Sequence, residues 1–306
     1  MCSKMNIPFK ALSEVKTCPV CNENSVEYAS NYPSEVEPFA SSTIEYCTAC
    51  GLGYVVDADV LLDNFYSVQY SRSNRGDRQI EPEQYFSPEM RSKSPRLSRY
   101  FARASRQLSV LESLRNPLKH ILDFGSGPGY LLSISQAKTL AAFEPDLDSQ
   151  KYLSYIGATQ YESLDDLPRG SFDAIISSHS MEHLVAERLV ETLTVLLGCL
   201  KANGRLLIEV PQGGLSHLVL NSRHDPHTIF FTQESLTKAI QAAGGELVFS
   251  KCFAEKQSNK RPDAVYEPKG SKFLRSRSGS VTIVAGRKPG FAGRVGNKFD
   301  RLSRGL

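Results

Sequence analysis

The run Asp123-Phe124-Gly125-Ser126-Gly127-Pro128-Gly129 places three glycines at alternate positions directly behind the short apolar run His120-Ile121-Leu122. A helical stretch is expected to follow over residues 130–136, so the segment reads as strand, tight turn and helix. Such a turn lets a ligand approach the backbone where a Cβ would block it, and a helix start offers unpaired N–H groups to an anion. A strand feeding a turn of this kind belongs to a parallel sheet wound with helices on both faces. The rest of the chain keeps that rhythm. Short apolar runs predict strands over residues 120–124, 139–144, 172–177, 205–210, 246–253 and 280–285, and helical stretches over 147–156, 187–200 and 233–243 alternate with them. A further helix is expected from Arg96 to Leu114, with Leu97, Phe101, Leu108, Leu111 and Leu114 at roughly helical intervals.

With 306 residues the chain can bury one large core and still carry a smaller module, at about 100–200 residues per domain. Nowhere do apolar residues run for the roughly 20 positions of a membrane span. The opening Met1-Cys2-Ser3-Lys4-Met5-Asn6-Ile7-Pro8 lacks the apolar stretch of roughly 7–15 residues of a secretory signal. A soluble, cytoplasmic protein with no membrane span is therefore expected. The net charge of +3 is unevenly spread: residues 251–306 hold 14 Lys and Arg against 4 Asp and Glu, a balance of +10, which leaves −7 for residues 1–250. The basic end reads as a solvated tail, with phosphate, nucleic acid or an anionic surface as its alternative partner.

Four of the seven cysteines form two pairs, Cys18-Pro19-Val20-Cys21 and Cys47-Thr48-Ala49-Cys50-Gly51, with 25 residues between the inner cysteines. Four thiolates in two knuckles can surround a structural zinc ion tetrahedrally. The alternative, a redox dithiol, needs one pair at a helix start in a thioredoxin-like setting, which this segment lacks. Residues 17–56 hold no long periodic apolar stretch, so a metal staple is expected there. Cys199 and Cys252 read as small buried hydrophobes.

The glycine loop by itself fits any nucleotide-like cofactor, including a dinucleotide bound through G-x-G-x-x-G. Here the spacing is G-x-G-x-G, and Asp123 stands two residues before the first glycine, awkward for a pyrophosphate. A second acid, Glu144, ends the next strand about 20 residues on, where a carboxylate can accept from both hydroxyls of a ribose. Together with Phe143-Glu144-Pro145-Asp146 and the segment Ser171 to Leu184, which contains Ser178-His179-Ser180-Met181-Glu182-His183-Leu184, this loop resembles the successive motifs of class I S-adenosylmethionine-dependent methyltransferases.

The resemblance covers roughly residues 118–290. It implies a Rossmann-like, doubly wound, mostly parallel seven-stranded sheet behind a zinc-ribbon-like module. It also implies a division into 1–56 (four-cysteine module), 57–117 (helical connection), 118–290 (methyltransferase domain) and 291–306 (basic tail). Asp123, Gly125, Gly127 and Gly129 would line the cofactor's methionine part, Glu144 would hold the ribose, Asp165 or Asp166 would lie near the adenine, and Ser178 would border the sulfonium. His179, His183 and His227 are the candidate catalytic groups, with His217 and His224 nearby in sequence. Because methyl transfer is an in-line displacement, positioning supplies much of the rate, and a base is required only for a weakly acidic acceptor. A small-molecule or glycan acceptor methylated at oxygen is expected; the alternatives are an RNA acceptor, suggested by the ribbon and the basic segments, and a dinucleotide-dependent oxidoreductase.

Overall fold

The computed structural model describes residues 10–32, 37, 39–64, 80–211, 227–254 and 279–288. The expectations placed on residues 71–78, His217, His224, the side chain of Cys252, the connection 255–278 and the tail 291–306 lie outside what is described. In chain order the elements begin with β1 (Lys10–Thr17), β2 (Asn24–Asn31), β3 (Thr43–Cys47) and β4 (Gly53–Val55). Four helices follow, α1 (Ala58–Asn64), α2 (Pro82–Tyr85), α3 (Pro88–Lys93) and α4 (Pro95–Leu114). Then come β5 (His120–Phe124), β6 (Thr139–Phe143), α5 (Gln150–Tyr155), β7 (Thr159–Tyr161) and β8 (Phe172–Ser178). The remainder is α6 (Ala186–Cys199), β9 (Leu200–Pro211), β10 (Ile229–Phe230), α7 (Gln233–Ala242), β11 (Gly245–Ala254) and β12 (Gly279–Arg287).

The strands form a seven-stranded sheet of order β11-β12-β9-β8-β5-β6-β7 and a five-stranded one of order β1-β2-β3-β4-β10. In the first, β5 runs parallel to β6 and β8, and β6 runs parallel to β7. Buried parallel strands read as unbroken apolar runs, and Ile121, Leu122, Ala174, Ile175 and Ile176 are fully buried. The second sheet is antiparallel throughout. Described residues of Met1–Asp63, His179–Leu193 and Glu209–Ile283 make up one compact unit, and those of Asn64–Ser178, Thr194–Ile208 and Val284–Leu306 make up a second.

The expected helix over residues 130–136 does not form; only a 3-10 turn, Leu132–Ile134, follows the glycine loop. Serines draw the backbone into local bonds, since Ser133 Oγ donates to the Tyr130 carbonyl and the Ala137 N–H donates to Ser135 Oγ. Such contacts compete with the helical ladder. Helix α4 fulfils its expectation: Pro95 opens it, the Ser94 side chain caps Leu97 N–H, and Leu97, Phe101, Ala104, Leu108 and Leu111 form its buried stripe. Cys199 is buried, and burial pushes its thiol up to about 11, the behaviour of an inert hydrophobe. No helix among the described residues is long and apolar enough to cross a membrane.

Asp173, on β8, ties three segments of the second unit together. Its carboxylate accepts from Arg115 (2.8 Å), Lys201 (2.9 Å) and the N–H groups of Lys119 (3.1 Å) and His120 (3.0 Å). Burial pushes this carboxyl up, but the Arg115 and Lys201 bonds outweigh burial and hold it at about 2. Because its folded value lies below the unfolded value of about 3.9, its stabilisation is full above pH 4 and is lost as pH falls toward 2. Asp173→Asn is expected to cost about 2 kcal/mol in denaturant titrations at pH 7, the scale of one or two charge-assisted hydrogen bonds. The difference from wild type should close only as pH falls through about 2; a pH-independent difference would remove the ionic explanation.

Candidate functional site

The glycine loop continues the β5 ladder for one more bond, with the Gly125 N–H donating to the Phe143 carbonyl at 2.8 Å. It then turns through positive φ at Gly125 (74°), Gly127 (52°) and Gly129 (87°), a region in which residues other than glycine are strained. The glycines serve different ends. A Cβ built on Gly127 meets nothing within 4 Å, so open space lies beside it, whereas one on Gly129 presses on Ile156 at 2.7 Å and Leu153 at 3.0 Å. Gly129 is thus held to glycine by its positive φ, with the ends of two side chains packed close beneath the loop, and Gly127 faces room for a ligand. Since no helix follows, any anion here meets the N–H groups of the loop itself rather than a helix dipole.

Glu144 closes on this loop. Its Oε2 accepts from the Gly127 N–H at 2.6 Å and its Oε1 from the Asp146 N–H at 2.9 Å. Asp146 in turn caps the following turn through Asp148 N–H and the Ser149 hydroxyl. Asp123 is buried, and burial, reinforced by the charge of Glu144, pushes its carboxyl up to about 7. Asp165 and Asp166 lie on the 3-10 turn after β7, and neither is buried. Ser178 ends β8 and accepts from the side-chain amide of the buried Gln107 at 2.8 Å.

An aromatic cluster packs against the same loop, and its source is the stretch 57–117 that the sequence marks only as a connection. Tyr85, from α2, is fully buried between Tyr130 and Tyr152, with ring centroids at 6.0 and 4.7 Å. Its hydroxyl bonds that of Tyr130, and Tyr152 donates to the Ile80 carbonyl. Leu97 and Phe101 of α4 complete the cluster. Tyr130 directly follows Gly129, so these helices brace the loop's exit.

The three candidate histidines gather in the other unit around two carboxylates. His179, held at φ +56°, donates its N–H to the Glu209 carbonyl at 2.8 Å. Its ring nitrogens lie 3.4 Å from Glu182 Oε1 and 4.0 Å from Glu209 Oε1. The rings of His183 and His227 meet edge to face at 5.0 Å. The Thr228 N–H and hydroxyl donate to the Glu182 carbonyl and the hydroxyl also reaches the Leu184 carbonyl, which fastens the 227–228 segment to 182–184. The His227 N–H donates to Tyr32 Oη at 2.9 Å. Glu182 is 1% exposed; burial pushes its carboxyl up, but the His179 contact and the neighbouring His183 and His227 outweigh burial and hold it at about 2. Glu209, equally buried, accepts from Thr282 at 3.1 Å and Ser280 at 3.5 Å.

Cys18, Cys21, Cys47 and Cys50 bring their sulfurs together, with Cys18···Cys50 at 3.8 Å, Cys21···Cys47 at 3.6 Å and Cys47···Cys50 at 3.5 Å. Zinc–sulfur bonds of about 2.3 Å in a tetrahedron demand edges of about 3.8 Å, so the separations fit a central ion, while disulfides need about 2.05 Å. As thiols the group is in conflict: Cys47 is pulled down by bonds from Cys18 and Cys50, and Cys50 is pushed up by its bonds to Cys18 and Cys47. Ser25 Oγ at 3.0 Å and the Cys50 N–H at 3.4 Å also surround Cys47 Sγ. The donor set therefore suits a dication.

Residues 95–249, half of the chain, match the family model described as a methyltransferase domain. The chain belongs to this methyltransferase family. The matched span runs from the start of α4 into β11, so it takes in the glycine loop, Glu144 and all three histidines. Among curated proteins, none matches the sequence. Solved methyltransferases resemble the chain in part: one from Archaeoglobus fulgidus, S-adenosylmethionine-dependent by its description, shares 21% identity over 61% of this chain and 93% of its own, with a TM-score of 0.46. A TehB-like one from Corynebacterium glutamicum shares 17% over 64% and 100%, with a TM-score of 0.40. Assignment to the methyltransferase family rests on the sequence match.

Of the candidate residues, the structure joins Glu144 to Gly127 by a bond and to Asp123 by charge, and it unites the four cysteines. It also collects His179, His183 and His227 around Glu182. Sequence reasoning passes over Glu182 and Glu209 as site residues. A signal for Glu209 is present, since it is the lone charge inside the apolar run Leu206 to Val210. For Glu182 two of the neighbouring histidines, His179 and His183, are local, while the third, His227, comes from a segment 45 positions away in the chain.

Proposed function

We propose that this methyltransferase takes its methyl group from S-adenosylmethionine and delivers it to an oxygen of a small-molecule or glycan acceptor, behind a zinc-stapled four-cysteine module. The observation that carries the donor is the contact between Glu144 and the Gly127 N–H, beside a position where a Cβ would meet only open space. A carboxylate at the end of the second strand suits paired ribose hydroxyls, and the N–H groups of the loop suit a carboxylate. When bound, the cofactor supplies an electrophilic methyl on sulfonium. Glu144 and the loop hold and orient it, with Asp123, Ser178 and one of Asp165 and Asp166 as further contacts. Division into 1–56, 57–117, 118–290 and 291–306 belongs to the same reading.

The oxygen acceptor is supported by the histidine cluster. A hydroxyl must lose its proton as it is methylated, and a histidine takes that proton more readily when a buried carboxylate faces its other side. His179 lies 3.4 Å from the anionic Glu182, an arrangement an amine or thiol acceptor would not require. Calorimetry tests the donor: S-adenosylhomocysteine should bind one per chain, and NAD should give no heat. Binding of NAD in its place would overturn the reading.

A further inference from the structure

Glu182 poses a problem that its contact with His179 leaves unsolved. It is 1% exposed and, among the described residues, neither of its carboxylate oxygens finds a hydrogen bond, although both are shut off from solvent. A buried carboxylate in this condition is costly unless a cation answers it. The histidines around it are arranged as ligands would be: one nitrogen of His183, one of His227 and a Glu182 oxygen lie within 4.8 Å of one another. Bonds of about 2.0–2.2 Å from such donors to one ion need separations near 3.4 Å, within reach of small side-chain rotations. The supporting backbone is fixed beforehand, because Thr228 bonds the carbonyls of Glu182 and Leu184 and Tyr32 holds the His227 N–H.

We propose that Glu182, His183 and His227 form a second metal site, which takes a divalent first-row transition cation. Two imidazoles and one carboxylate suit manganese, iron, cobalt or zinc, whereas calcium and magnesium favour all-oxygen ligands. The four thiolates of the ribbon close their ion off, but three protein ligands leave positions open for water or an acceptor hydroxyl. His179 is a positioning residue here: its Nδ1, 3.4 Å from Glu182 Oε1, can steady the ligating carboxylate. A role for the open position in presenting a hydroxyl rests on the oxygen-acceptor reading. Occupancy of the site does not, so the two can fail separately.

The test uses the full chain with its ribbon filled with zinc and free metal removed. On titration with cobalt(II), wild type is expected to take up one cobalt per chain beside its zinc by elemental analysis, with the weak visible absorption of nitrogen and oxygen ligation. Glu182→Gln and His227→Ala should each weaken cobalt uptake about 100-fold while keeping their zinc and their circular dichroism. His179→Ala should weaken it about 10-fold, the loss expected when a residue that orients a metal ligand is removed. The wild-type stoichiometry decides even where a variant misfolds. No cobalt beyond what displaces ribbon zinc, which the intense thiolate band would report, overturns the proposal, as does full uptake by the folded variants.

Discussion

Glu144→Ala is expected to weaken S-adenosylhomocysteine binding by at least about 100-fold in calorimetry. A hydrogen bond to a charged group contributes about 1.5–3 kcal/mol, and loss of two of them exceeds the roughly 2.8 kcal/mol that corresponds to two orders of magnitude. Both oxygens of Glu144 already accept backbone N–H groups, from Gly127 and Asp146. A carboxylate offers about four acceptor positions, so those bonds orient it without saturating it. The variant should therefore lose the ribose contacts proposed for Glu144 and also the brace that sets the Gly127 turn. Glu144→Gln separates these effects: it keeps the shape but turns an amide NH2 toward one of the two N–H donors, and should fall between wild type and alanine. A Kd within threefold of wild type for Glu144→Ala would sink the assignment of this loop as the donor site.

How much of this is legible in the sequence depends on how local the deciding contacts are. The central strands β5, β6 and β8 fall within a residue or two of their expected bounds because a strand buried on both faces announces itself as an apolar run. The edge strand β7, Thr159–Tyr161, has no such run, being partly exposed and mostly polar, and escapes the pattern. The five-stranded sheet escapes it for another reason. Val26, Phe39, Ile44, Leu52 and Tyr54 are buried, but they come from short separate stretches, and the strand that completes their sheet, β10, lies more than 170 residues downstream. A helix after Gly129 is what a strand and glycine turn normally lead into, and the serines at 133 and 135 override it. Cysteine spacing needs no partner beyond its own segment, and the four sulfurs stand together as the two knuckles imply.

That nonlocal closure gives the four-cysteine module its largest consequence. Stripping the zinc proposed for it with a chelator under reducing conditions, or replacing Cys47 and Cys50 together with serine, should remove on the order of 10 kcal/mol of coupled binding and folding free energy, the scale of small zinc modules. The loss should not stay within residues 10–56. The Cys50 carbonyl accepts from the Thr232 hydroxyl at 2.9 Å, and that hydroxyl also caps α7 through the Ser235 N–H. Just beyond this knuckle, β4 pairs with β10 and Val55 N–H bonds the Thr228 carbonyl, while from the end of β2 Tyr32 Oη holds the His227 N–H. Each of these contacts ends on the segment that carries His227. Amide exchange should therefore accelerate across residues 227–236 in the stripped protein, together with β2 to β4, while amides of β5 and β6 keep their protection. Unchanged exchange at 227–236 after verified metal loss would confine the four-cysteine module to stabilising itself. The expected coupling instead makes the thiolate site a further support of the histidine cluster, since the strand that follows His227 pairs with β4 while Thr228 bonds the Glu182 carbonyl.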